Sequence, residues 1–127
     1  MYETAQAYWI FRDEFNNLSY FDSFRGMFSG AVPIHSGFGS LSLNNSEISL
    51  ESEEILFTLP LQAITEIYLG FDDLYTSNYV KNFGLFWSPL RITFIDEKID
   101  NSLYVVTDFD HFTTQNEKWY KLLTGIL

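Results

Sequence analysis

Between Gly37 and Phe71 the chain reads GFGSLSLNNSEISLESEEILFTLPLQAITEIYLGF, and it ends in TTQNEKWYKLLTGIL. In the first stretch apolar residues recur at every second position, the period of a strand with one dry face. Leu41 and Leu43 alternate with Ser40 and Ser42; Ile48 and Leu50 alternate with Glu47, Ser49 and Glu51. Asn44-Asn45 supplies the turn between them, because Asn tolerates positive φ. The pattern predicts a hairpin. An acidic corner, Glu51-Ser52-Glu53-Glu54, leads into a further strand from Ile55 to Leu59. Pro60 ends that strand, having no N–H to give to a ladder. Leu61 and Ile64 anchor a turn, and a strand resumes from Thr65 to Phe71.

At the C-terminus the period changes. Trp119, Leu122, Leu123 and Ile126 stand at i, i+3, i+4 and i+7, one apolar helical stripe. Thr114 and Glu117 have the spacing of a capping box, and Gly125 suits a C-terminal turn. Several short strands followed by one such helix predict a small barrel with a helical plug.

The rest of the chain is placed around this pairing. Residues 3–17 fit a helix with Ala5, Tyr8, Trp9 and Phe15 on one stripe, although the run Tyr8-Trp9-Ile10-Phe11 has strand-forming types too; the segment reads as an extension (residues 1–22) packed on a body (residues 23–127). From Phe24 to Ile34 the period is again two, with Gly26 and Gly30 allowing a bend in a first strand. Residues 72–88 form a long irregular loop closed by Pro89. Leu90, Ile92 and Phe94 alternate with Arg91 and Thr93, Asp96 to Asn101 make a polar turn, and Leu103 to Thr107 read as a strand buried on both faces.

A chain of 127 residues suits a single domain. Its net charge of −10, with only 7 Lys and Arg, provides no basic footprint for nucleic acid and nothing to hold an anionic membrane surface. The absence of cysteine excludes disulfides, thiolate zinc sites and cysteine nucleophiles. MYETAQAYWIFRDEF lacks the basic and apolar regions of a secretory signal, and no apolar run is long enough to span a bilayer. A soluble protein of the cytoplasm is the expectation.

Catalytic constellations are sparse. Asp108, Asp110 and His111 are the densest group of metal-ligating types, yet they also suit a polar link into a helix N-terminus. Glu51, Glu53 and Glu54 read as a solvated corner, and Asp72-Asp73 as the same. His35 has no serine elbow beside it, and Gly37-x-Gly39 lacks the third glycine of a dinucleotide loop. No catalytic residue, metal or cofactor is expected.

The order of elements resembles the pleckstrin-homology (PH) superfamily, in its GRAM-like and bacterial PH-like branch. The resemblance is carried by Gly39-Ser40-Leu41-Ser42-Leu43, Ile48-Ser49-Leu50, Phe57-Thr58-Leu59-Pro60-Leu61, Ile64, Pro89-Leu90-Arg91-Ile92-Thr93-Phe94 and the helix around Trp119, over residues 24–127. It implies a mainly β barrel of about seven antiparallel strands in two bent sheets. It also implies a C-terminal helix that brings Trp119 and Leu123 into the barrel mouth. Phosphoinositide-binding members use Lys and Arg around the first hairpin loop. The matching loop, residues 32–39, holds His35 and neither Lys nor Arg, which argues against a phosphate ligand.

Phe83-Gly84-Leu85-Phe86-Trp87 crowds four large apolar residues into an irregular stretch, the composition of an aromatic contact anchor or of an edge folded into the core. The expected function is a non-catalytic intracellular binding module for a protein partner. Phe83, Phe86 and Trp87 form its contact surface, with His35 and Phe38 at the neighbouring hairpin mouth. The alternatives are a barrel carrier for a small apolar ligand, a weak binder of phospholipid headgroups, and peptide addition to an open sheet edge. An unpaired edge would also favour a homodimer.

Overall fold

The computed structural model describes residues 3–17, 35–76, 87–110 and 113–127. Among these residues seven strands form one antiparallel sheet: β1 (Glu3–Phe11), β2 (Gly37–Leu43), β3 (Glu47–Glu51), β4 (Leu56–Pro60), β5 (Ile64–Leu69), β6 (Leu90–Asp96) and β7 (Ile99–Thr107), in the order β4-β3-β2-β1-β7-β6-β5. Among the described residues one α-helix, α1 (Asn116–Ile126), follows. Short 3-10 helices, Arg12–Asn17 and Leu61–Ala63, follow β1 and join β4 to β5. None of the described helices is long and apolar enough to cross a membrane.

The helical reading of residues 3–17 is overturned for Glu3–Phe11, and only Arg12–Asn17 is helical, as a 3-10 helix. Glu3–Phe11 is the central strand, hydrogen-bonded to β2 on one side and β7 on the other. The reason is burial on both faces: Trp9 and Ile10 are both buried although they point oppositely, so the period-two signal is blurred. The strand proposed from Phe24 to Ile34 lies outside the described residues.

The β2–β3 hairpin follows its sequence pattern, with Leu41 opposite Leu50 and Leu43 opposite Ile48, all four buried. Asn44 shapes its turn, Oδ1 accepting the N–H groups of Ser46 (2.8 Å) and Glu47 (2.9 Å). The β6–β7 turn is shorter than expected: Asp96 faces Ile99, so only Glu97 and Lys98 remain in it. Both have positive φ, 51° and 71°, the handedness a two-residue hairpin needs to match strand twist. From Ser102 to Thr107, β7 is buried at every position, as expected for the nearly all-apolar run from Leu103 to Thr107.

The inner face of the sheet gathers Ala7, Trp9, Leu41, Leu43, Ile48, Leu50, Leu59, Ile92, Phe94, Leu103 and Val105 around Trp119 and Leu123 of α1. Each large side chain removed from water there contributes about 2 kcal/mol. The sheet curls strongly. Phe57 on edge strand β4 lies 5.9 Å, ring to ring, from Phe94 on β6, and 5.1 Å from Phe11 on β1. Side chains thus meet across the curl, but among the described residues no ladder joins β4 to β5, and the sheet stays open.

The capping box is also corrected. Gln115 occupies the N-cap without a side-chain bond, and Glu117 instead pairs with Lys121 at 3.2 Å. Thr114 Oγ1 accepts the Asn116 N–H at 3.2 Å. The helix start is pinned by Asn116, which is buried. Its Oδ1 accepts from the Thr107 N–H and hydroxyl (2.8 and 2.7 Å), and its Nδ2 donates to the carbonyls of Ser88 (2.7 Å) and Val105 (3.2 Å). A buried amide with all these groups matched fixes helix against sheet more specifically than an exposed cap would.

Candidate functional site: a cleft at the mouth of the curled sheet

Side chains alternate along β2, so Gly37 and Gly39 share the inner face with Leu41 and Leu43. Neither position tolerates a Cβ. At Gly37 it would stand 2.3 Å from the Trp9 indole nitrogen, and at Gly39 2.0 Å from the Glu51 carbonyl oxygen. Close packing demands glycine at both, and these two inner positions of β2 therefore leave the mouth of the curl unfilled.

A cleft of about 690 Å³ opens there. Its lining runs from Trp9, Phe11 and Glu14 through residues 35–39 to the β3–β4 turn, Ser52 to Ile55. Glu14 Oε1 fixes one wall by accepting the Ser36 hydroxyl (2.7 Å) and the Phe11 N–H (2.9 Å), while the Ser36 N–H donates to the Trp9 carbonyl at 2.8 Å. Ser52 fixes the other, its Oγ accepting the Glu54 and Ile55 N–H groups at 3.3 and 3.2 Å. Ile55 is 45% exposed, so an apolar side chain stands in water at the rim. Glu53 and Glu54 are exposed beside it. The described lining has three carboxylates and no Lys or Arg.

Of the residues expected from sequence, His35 and Phe38 line this cleft. Their rings meet Tyr8 at 4.7 and 4.6 Å. Trp87 lies elsewhere, half-buried in a second aromatic layer on the outer face of the sheet, 5.8 Å from Phe109 and 6.5 Å from Tyr75. Phe109 in turn is 6.3 Å from Tyr8, so Trp87, Phe109, Tyr8 and Phe38 form one run of rings. Phe83 and Phe86 lie outside the described residues. Sequence reasoning missed Trp9, Phe11, Glu14 and Ile55. The pair Gly37-x-Gly39, entering a strand whose next inner positions are leucine, was the available signal for an unfilled mouth.

The outer layer is organised by Asp72, which the sequence suggested was merely solvated. Asp72 Oδ1 accepts the N–H groups of Leu74 (3.0 Å) and Tyr75 (2.9 Å), shaping the turn. Its Oδ2 accepts from Tyr104 OH (2.7 Å) and Arg91 Nη1 (2.9 Å). Arg91 also reaches Glu66 at 2.7 Å and lies over the Tyr68 ring at 4.7 Å. Burial alone would raise the Asp72 carboxyl, but the donors from Tyr104, Tyr75, Arg91 and Leu74 outweigh it and hold it below its usual range. Burial, reinforced by the Asp72 carboxylate, pushes the Tyr104 hydroxyl up. Burial tends to lower the Arg91 guanidinium, yet bonds to Asp72 and Glu66 leave it raised. The arrangement is a clasp holding residues 71–75 onto β6 and β7.

Asp108 and Asp110 serve the link expected between β7 and α1. Asp108 accepts the Gln6 N–H at 3.1 Å, and Asp110 accepts the Thr113 N–H at 2.8 Å. His111 lies outside the described residues, and among those described no three potential metal ligands converge. No family model matches this chain, and no curated protein does.

Proposed function

We infer that this chain is a non-catalytic, PH-like binding module that engages a protein partner at the mouth of its curled sheet. One observation carries the reading: the interior is filled by Trp119 and Leu123, while a cleft with an exposed apolar rim stays open between Gly37 and Ile55. Apolar side chains kept in water beside a concavity are characteristic of contact surfaces. The PH-like assignment is supported by the sequential antiparallel strands, the approach of Phe57 to Phe94 and the C-terminal helix in the core. A carrier of small apolar molecules would need the room that Trp119 occupies. A phosphoinositide headgroup would meet Glu14, Glu53 and Glu54 where it requires cations.

Site-specific photocrosslinking in the producing cells tests the reading. A photoreactive amino acid at Ile55 is expected to give discrete protein adducts, and the same group at Gln62, exposed in the β4–β5 turn away from the cleft, none. Adducts from Gln62 alone, or from neither position, would remove the cleft as the contact surface.

A further inference from the structure

We propose that the occupant of the cleft is an extended segment of a protein partner carrying Lys or Arg on both sides of a short apolar anchor of one or two large residues. The inference rests on the binding-module reading and specifies its ligand. Three features define the chemistry. The floor carries the half-buried Phe11 ring, beside a nearly buried Trp9 whose indole edge lies beneath Gly37. The rim adds Ile55, an apolar contact that gains by leaving water. The carboxylates come from two separate elements: Glu14 from the 3-10 helix after β1, Glu53 and Glu54 from the β3–β4 turn.

An apolar floor between separated acids is complementary to an apolar anchor between separated cations. A small cation would use one wall and leave the floor wet. A purely apolar chain would desolvate the acids without compensation. The volume, about 690 Å³, accommodates an anchor side chain together with neighbouring backbone. The chain's net charge of −10 adds long-range attraction for a basic segment and speeds its arrival, which makes a control for general electrostatics necessary.

The test uses fluorescence anisotropy of labelled octapeptides with the full chain. The probe is Gly-Lys-Arg-Phe-Leu-Lys-Arg-Gly. One control replaces Phe-Leu by Gly-Gly, and another replaces the four cations by Glu. The expected result is saturable binding of the probe, with each control at least about tenfold weaker, since 1.4 kcal/mol of lost contact is a factor of ten. The double variant Glu53→Lys/Glu54→Lys is expected to weaken the probe at least about tenfold. Asp73→Lys/Glu117→Lys, an equal change in net charge at residues that do not line the cleft, is expected to change it less than about twofold. Ile55→Ser should reproduce the loss seen on removing Phe-Leu. All of these positions are exposed, and an unchanged urea midpoint checks each fold.

Equal loss in both charge-reversal variants would overturn the proposal, reducing binding to net charge. So would equal binding of the Gly-Gly control. Absence of probe binding alongside continued crosslinking from Ile55 would sink the basic-anchor chemistry and leave the binding module standing. Loss of both would sink the two together.

Discussion

The two faces of the sheet are held by different chemistry. Inside, aliphatic residues and two tryptophans close around α1, and the polar contribution is Asn116 with its matched donors and acceptors. Outside, Tyr75, Tyr104, Phe15, Phe71 and Trp87 form a ring layer fastened by one carboxylate, Asp72. The inner face depends on buried area and scarcely on pH. The outer layer depends on a charge. A small protein can therefore carry a pH-independent core and a pH-dependent coat on one sheet, and the two should come apart under different stresses.

The largest expected effect breaks the inner side. Trp119→Ala removes the biggest helical side chain from the core, and should cost about 3–5 kcal/mol, read as a lowered urea midpoint. Next comes the clasp. Asp72→Asn keeps the shape but removes the charge that Arg91 and Tyr104 share. A loss of about 2 kcal/mol is expected, the scale of hydrogen bonds to a charged group. The same residue sets the pH dependence. Its folded carboxyl is held below the ordinary value of 3.8, so the stabilisation is complete above that value and lost as pH falls through the lowered one. For Tyr104, raised above 10.0, the sign reverses: its contribution is complete below that value and disappears as pH rises through the folded one. Stability measured against pH should thus fall at both ends, and Asp72→Asn should flatten the acid limb while Trp119→Ala leaves its shape intact. The smallest effect belongs to Glu117→Gln. Its partner is four residues away, both side chains are 73% exposed, and less than about 0.5 kcal/mol should be lost.

Much of the inner face was legible in the sequence because its determinants are local. The hairpin through Leu41, Leu43, Ile48 and Leu50 alternates cleanly, and the stripe through Trp119 and Leu123 has helical spacing. β1 was misread because its run Tyr8 to Phe11 is apolar on both faces and shows no alternation, although Thr4 and Gln6 before it are exposed. Tyr8, Trp9, Ile10 and Phe11 suit a strand or a helix equally until β2 and β7 are seen beside them. Asp72 was misread because its partners are remote: Arg91 is 19 residues away and Tyr104 is 32, with no local pattern connecting them. At the cleft, His35 and Phe38 follow from the reading of residues 32–39 as a hairpin mouth. The opposite wall was hidden because Glu53, Glu54 and Ile55 look like any solvated corner until the curl carries them round to Trp9.

Hydrogen exchange resolved by residue tests the two-chemistry account most directly. As pH is lowered from 7 through the depressed titration of Asp72, which lies below 3.8, and after correction for intrinsic rates, the Leu74 and Tyr75 amides that Asp72 accepts should lose protection. Those of Ile92 and Val105 in the buried strands should retain it. Simultaneous loss at all four, or no change at Leu74 and Tyr75, would contradict a coat fastened by charge over a core fastened by burial.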